Sequence, residues 1–164
     1  MVKPVFFISH ATSEKAVAIA LKGLIERAFG GRVIGFVATD SRCIPFGSKW
    51  SPEIVKNLKR CFAFIMLASH ESIGRPWVNF ELGVIWERTV PKIPLCHSGM
   101  SVDHLPSPYH DLMAGMATDE EDLQKLIEAL AMELGDVPPK IDSSQFIEAV
   151  KQYENDSVHR RLLS

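Results

Sequence analysis

Several features are missing from the 164-residue chain, and each absence narrows what it does. Its longest apolar run, Cys61–Ala68, is far short of the roughly 20 residues that span a bilayer, so no membrane partner is expected. The amino terminus lacks a basic flank, an apolar core and a small-residue cleavage site, and a cytoplasmic location is expected. Neither charge sign dominates: the formal net charge is −2 and no long basic run occurs, so no nucleic-acid partner is expected either. Cysteine is scarce. Cys43, Cys61 and Cys96 lack both the count of a disulfide framework and the paired spacing of a zinc site, and read as reduced thiols. No Gly-x-Gly-x-x-Gly follows a strand and no Gly-x-x-x-x-Gly-Lys-[Ser/Thr] occurs, which sets aside dinucleotide-fold redox chemistry and P-loop phosphoryl transfer. There is no internal repeat.

What is present is an alternation of periods. Pro4–Ser9 is a continuous apolar run, the pattern of a strand covered on both faces. Thr12 or Ser13 then caps a helix with Glu14 in its first turn, carried by Val17, Leu21, Leu24 and Ala28 until Gly30-Gly31 stops it. Arg32–Ala38 reads as a strand, Thr39–Trp50 as a loop, and Ser51-Pro52 opens a second helix. Phe62–Ala68 is a strand, and a loop from Ser69 to Arg75 leads to a third helix. Lys92–Cys96 is a strand whose Pro94 suggests a place near an edge or at a bend, Ser98–Asp111 a long loop, and Leu112–Ala117 a weak fifth strand. Glu120–Leu134 is helical, Gly135–Asp142 a break, Ser143–Tyr153 one more helix, and Glu154–Ser164 polar enough to fray. This order predicts an α/β, flavodoxin-like fold, a parallel sheet of about five strands with helices on both faces. Ligands of such sheets bind outside the carboxyl ends of the strands.

Onto that edge opens the segment Arg75–Arg88. Pro76 suits a first helical position, and Trp77 and Glu81 lie one turn apart. At roughly 100° per residue, the summed direction of Trp77, Val78, Phe80, Leu82, Val84, Ile85 and Trp86 falls within about 25° of that of Glu81. A carboxylate aimed at an apolar face is costly unless it is paired or lines a cavity, and desolvation raises its pKa. From position alone, two readings stand: an ion pair with Arg75, Arg88 or Lys92, or a functional site. For Trp77 core packing is the favoured reading and a pocket wall the alternative. Ser9 and His10 end the first strand. As sequential neighbours they point to opposite sides, which does not suit a nucleophile and its base, and His10 either positions a ligand or caps the helix. His97, His104 and His110 with Asp103 and Asp111 lack a metal site's fixed spacing, so no metal is expected.

Three motifs carry a resemblance. Phe6-Phe7-Ile8-Ser9-His10-Ala11, Ile44-Pro45-Phe46-Gly47-Ser48-Lys49-Trp50 and Arg75-Pro76-Trp77-Val78-Asn79-Phe80-Glu81-Leu82-Gly83 resemble, in order, the first-strand, BB-loop and helix-C motifs of bacterial TIR domains. The likeness runs from about Val5 to about Leu134. It implies a TIR domain over residues 1–135, with 136–164 a C-terminal extension of one helix and a frayed tail. Many TIR domains cleave the nicotinamide glycosidic bond of NAD+ as a substrate, with no cofactor, while others only assemble. The enzymatic members carry a glutamate four residues after a tryptophan in a similar motif, so the resemblance makes Glu81 the catalytic residue. Trp77, Ser9, His10, Asp40 and Arg42 are candidate substrate contacts by ring chemistry and by their places at the ligand edge, and the resemblance further implies self-association through TIR surfaces and a separate sensor or effector protein as a partner in bacterial antiviral defence. Ala38-Thr39-Asp40-Ser41-Arg42-Cys43 departs from the aromatic-acidic pattern common in that family, which leaves contacts there uncopied. Two rival functions remain: a non-enzymatic TIR–TIR interaction module, and a nucleoside-processing transferase on a related fold.

Overall fold

The computed structural model describes residues 2–37 and 52–163. Asp40, Arg42, Cys43, the Ile44–Trp50 motif and the Ser51 cap therefore lie outside the described residues. Five strands form one parallel sheet: Val5–Ser9 (β1), Ile34–Val37 (β2), Ala63–Ala68 (β3), Lys92–Cys96 (β4) and Gly115–Met116 (β5). Their spatial order is β2-β1-β3-β4-β5, the flavodoxin-like arrangement expected from the alternation of periods. The helices are Lys15–Ala28 (α1), Pro52–Arg60 (α2), Pro76–Ile85 (α3), Glu120–Leu134 (α4) and Ser144–Leu162 (α5).

Strand parity sorts the core into two layers. Successive side chains of a strand point to opposite faces, and both central strands are buried throughout. Phe6 and Ile8 of β1 with Ala63, Ile65 and Leu67 of β3 meet α1, α4 and α5 on one face. Val5 and Phe7 with Phe64, Met66 and Ala68 meet α2 and α3 on the other. Ser9 continues the parity of Val5 and Phe7, so its hydroxyl is directed toward the α3 layer.

The ends of the elements follow local chemistry. Asp119 caps α4 by accepting the Asp122 N–H at 2.9 Å, and Gly135 ends it at φ +69°, a conformation that favours glycine. Pro94 is tolerated in β4 because β5 pairs only with Leu95 and Cys96, leaving that side of the strand open at Pro94. The start of α1 differs from expectation. A 3-10 turn, Thr12–Glu14, precedes it; the Ser13 hydroxyl donates to Glu71 at 2.8 Å instead of capping, and Glu14 is drawn inside. Ser98–Asp111 is not a plain loop either. Two 3-10 turns, Val102–His104 and Tyr109–Asp111, let Met100, Leu105 and Tyr109 reach the α2/α3 core from a polar-looking stretch. Cys61 and Cys96 are buried free thiols. Among the described residues, no helix is long and apolar enough to cross a membrane.

The final helix is longer than its sequence suggests. It continues past Tyr153 to Leu162, and Phe146, Ile147 and Val150 enter the core beside α1. Only its first half is buried, while Leu162 is 79% exposed. Phe146→Ala is therefore expected to cost about 3–5 kcal/mol in chemical denaturation. Leu162→Ala should stay within about 0.5 kcal/mol, and similar losses for the two would contradict this placement.

Candidate active site

In a sheet ordered 2-1-3-4-5 the chain leaves β1 toward one edge and β3 toward the other, which opens a crevice between their carboxyl ends. The segment after β3 makes a 3-10 turn, Ser72–Gly74, passes through extended Arg75 (φ −84°, ψ 120°), and enters α3 with Pro76 at its first turn. Val78, Glu81, Leu82 and Ile85, at the i, i+3, i+4, i+7 spacing of one helix face, are the buried residues of α3. Phe80 (46%) and Trp86 (37%) turn outward, although the helical wheel counts both toward the apolar side. Glu81, at 0% exposure, does not.

Two neutral donors hold the Glu81 carboxylate. Trp77, one turn earlier, donates its indole Nε1–H to Oε1 at 2.6 Å, and the Ser9 hydroxyl, delivered by strand parity, donates a short hydrogen bond to Oε2. No cation among the described residues pairs with it. Arg75 binds Glu71 at 2.6 Å, Arg88 donates to the Leu58 carbonyl at 2.6 Å, and Lys92 donates to the carbonyls of Arg88 and Val90. The ion-pair reading of Glu81 thus finds none of its three partners in place. Desolvation drives the Glu81 pKa from 4.5 to about 7, against the opposing pull of the Ser9 and Trp77 hydrogen bonds.

Beside this carboxylate lies a cleft of about 500 Å³, whose described walls are His10, Ala11, Thr12, Arg75, Pro76, Trp77, Val78 and Phe80. Glu81 does not itself line it. Trp77 joins the two, lining the cleft, stacking on Phe80 with ring centroids 5.2 Å apart, and bonding Glu81. It is both pocket wall and partial core residue. His10 is 6% exposed, with Nδ1 2.6 Å from the Ala11 carbonyl oxygen and Nε2 without a hydrogen-bond partner among the described residues. It does not cap the helix; the Ala11 N–H is bound by Glu14 Oε2 at 2.8 Å. The structure thus gathers Ser9, His10, Trp77 and Glu81 at one edge, while Asp40 and Arg42 lie outside the described residues.

Glu14 forms a second buried carboxylate centre that sequence patterning does not single out. Oε1 accepts the Ser69 hydroxyl at 2.5 Å and lies 3.1 Å from His97 Nε2, in a geometry too bent for a hydrogen bond. Ser72 closes the network through the Ser69 N–H at 2.8 Å. These bonds tie the segments after β1 and β3 together, with His97 from the segment after β4 packed against the same carboxylate, at the edge on which the cleft sits. Its one sequence signal is an acid three residues beyond Ala11, the spacing of a capping box without the capping side chain. Among the described residues, no three His, Cys, Asp or Glu side chains are grouped as a metal would need.

The raised Glu81 pKa has a consequence for stability. The unfolded carboxyl ionises near 4.5 and the folded one near 7, so the native state holds the extra proton between them and stability falls as pH rises through that window. Glu81→Gln removes the titration. The variant should gain on the order of 3 kcal/mol relative to the parent between pH 4.5 and pH 8, read from urea unfolding. Parallel stability curves for the two proteins would contradict a desolvated Glu81.

Comparison with known proteins agrees with this architecture. The family model described as TIR domain matches residues 6–127, from the first strand into α4. No curated protein sequence matches the chain. Among solved structures, RecJ from Thermus thermophilus in complex with Mn2+ aligns at 17% identity with a TM-score of 0.40, over 84% of this chain and 19% of that one. A likeness that weak carries neither metal nor function across. The match over residues 6–127, laid on a 2-1-3-4-5 parallel sheet, shows that the chain belongs to the TIR domain family.

Proposed function

We propose that the chain is an NAD+ glycohydrolase or cyclase, with Glu81 as its catalytic residue. The products are nicotinamide and ADP-ribose, or a cyclic or related ADP-ribose signal. The observation that carries this reading is the enclosed Glu81 carboxylate, held by Trp77 and Ser9 beside a cleft at the carboxyl ends of β1 and β3.

Breaking the ribosyl C1′–N bond sends the bonding pair to the pyridine nitrogen, so nicotinamide departs neutral and the ribose becomes an oxocarbenium-like cation. A leaving group that departs as a neutral molecule needs no general acid. What lowers the barrier is negative charge fixed near the cation in a site of low dielectric, which an ionised Glu81 supplies once ribose hydroxyls take over from the Ser9 and Trp77 donors. Water adding to C1′ and losing a proton gives ADP-ribose; attack by another nucleophile of the substrate gives a cyclic product. Trp77 offers a ring face for stacking the nicotinamide, while His10, Asp40 and Arg42 serve the ribose, the base or the pyrophosphate. NAD+ is the substrate and no cofactor is involved. The active species is a self-associated one, working in bacterial antiviral defence and triggered by a separate sensor or coupled to a separate effector.

Concentrated purified protein incubated with NAD+ should release nicotinamide. Glu81→Gln should lower that rate by about 10³-fold or more while remaining folded. Trp77→Phe, which keeps a ring but loses the N–H donor, should fall by about 10-fold. No release at any protein concentration would support the interaction module, and free nucleobase from nucleosides without NAD+ turnover would support the transferase.

A further inference from the structure

We infer that His10 reads the carboxamide of the leaving group and selects an amide over a carboxylate at that position. The assignment rests on NAD+ being the substrate of this cleft. It begins with a tautomer. Nδ1 lies 2.6 Å from the Ala11 carbonyl oxygen, which can only accept, so Nδ1 carries the ring proton and donates it there. In the neutral ring Nε2 is then a bare lone pair, an acceptor.

That lone pair is buried and has no hydrogen-bond partner among the described residues. Buried polar atoms in folded proteins are nearly always satisfied, so an orphaned one on a cleft wall marks a place where a ligand completes the bonding. The rest of the wall narrows what the ligand brings. Ala11, Pro76, Trp77, Val78 and Phe80 provide flat or apolar surface suited to a planar ring, and the faces of Trp77 and Phe80 also favour the positive charge that nicotinamide carries in NAD+. Arg75, the cation on this wall, is engaged by Glu71 at 2.6 Å. Ribose hydroxyls have their acceptor in Glu81. The nicotinamide ring has one donor group left to place, its carboxamide NH2, and His10 Nε2 is the acceptor for one of its two N–H bonds. A carboxylate at the same position would set lone pair against lone pair at His10 Nε2, which is discrimination by repulsion as well as by attraction.

The test compares NAD+ with nicotinic acid adenine dinucleotide, which differs only in carrying the acid. The parent protein should favour NAD+ in kcat/KM by about 30-fold or more. His10→Gln, of similar reach and with an amide that rotates to present either a donor or an acceptor, should shrink that preference to below about 5-fold. Its thermal unfolding shows whether it is folded. A uniform loss on both substrates would mean that His10 holds a hydroxyl instead, and would overturn the assignment. Calorimetry with free nicotinamide and free nicotinate provides a readout independent of turnover. Tighter binding of the amide, abolished by His10→Gln, supports the role of His10 even if NAD+ is never cleaved, an outcome that would remove only the proposed activity. Absence of an amide preference in that measurement overturns the role of His10 even if NAD+ is cleaved.

Discussion

A carboxylate enclosed without a counter-charge among the described residues is the constraint on which this structure turns. Desolvation penalises the ionised form of Glu81, and the protein answers with two neutral donors, Trp77 and Ser9, instead of a cation. That choice matters chemically. A lysine or arginine would hold the carboxylate permanently ionised but would also cancel the field it projects. Neutral donors leave the charge available and can be exchanged for hydroxyls at small cost, because one hydrogen bond replaces another.

Every larger feature serves that placement. Parity along β1 sends Ser9 toward the α3 layer, so a strand that looks uniformly apolar ends in a hydroxyl directed at the right helix. The reversal of strand order between β1 and β3 opens a crevice over their ends, and Pro76 starts α3 there, putting Trp77 and Glu81 within two turns of the edge. The hydrogen bonds among Glu14, Ser69 and Ser72 then hold the segments after β1 and β3 together, with His97 packed against Glu14. A loose edge would not hold a carboxylate in a fixed position relative to a reacting carbon, and positioning of that kind is much of what a catalytic site supplies.

Much of this was legible in the sequence because burial patterns are periodic. The strands, the helix beginning at Pro76, and α4 from Glu120 to Leu134 follow from period two, period 3.6 and capping residues, which are local signals. Tertiary effects were not local and were read less well. Glu14 looked like an ordinary first-turn acid because its partners, Ser69 and His97, are distant in the chain. Phe80 and Trp86 counted as apolar-face residues because a wheel weighs hydrophobicity without knowing which arc the sheet covers. Met100, Leu105 and Tyr109 were hidden among serines, prolines and histidines. The second half of α5 looked too polar to persist, yet it continues a helix already anchored by Phe146, Ile147 and Val150. For Glu81 the sequence showed that its side of the helix was wrong for a charge, and only the fold showed which donors meet it there.

The central claim joins two properties of one group: Glu81 titrates near neutrality, and its ionised form is what accelerates bond cleavage. The pH dependence of kcat/KM for nicotinamide release from NAD+ reads both at once, since that parameter reports the ionisations of the free protein. The account predicts a rate that climbs with pH through a midpoint of about 7 and then levels off. A rate that is flat from pH 5 to pH 8, or that falls across that range, would contradict it.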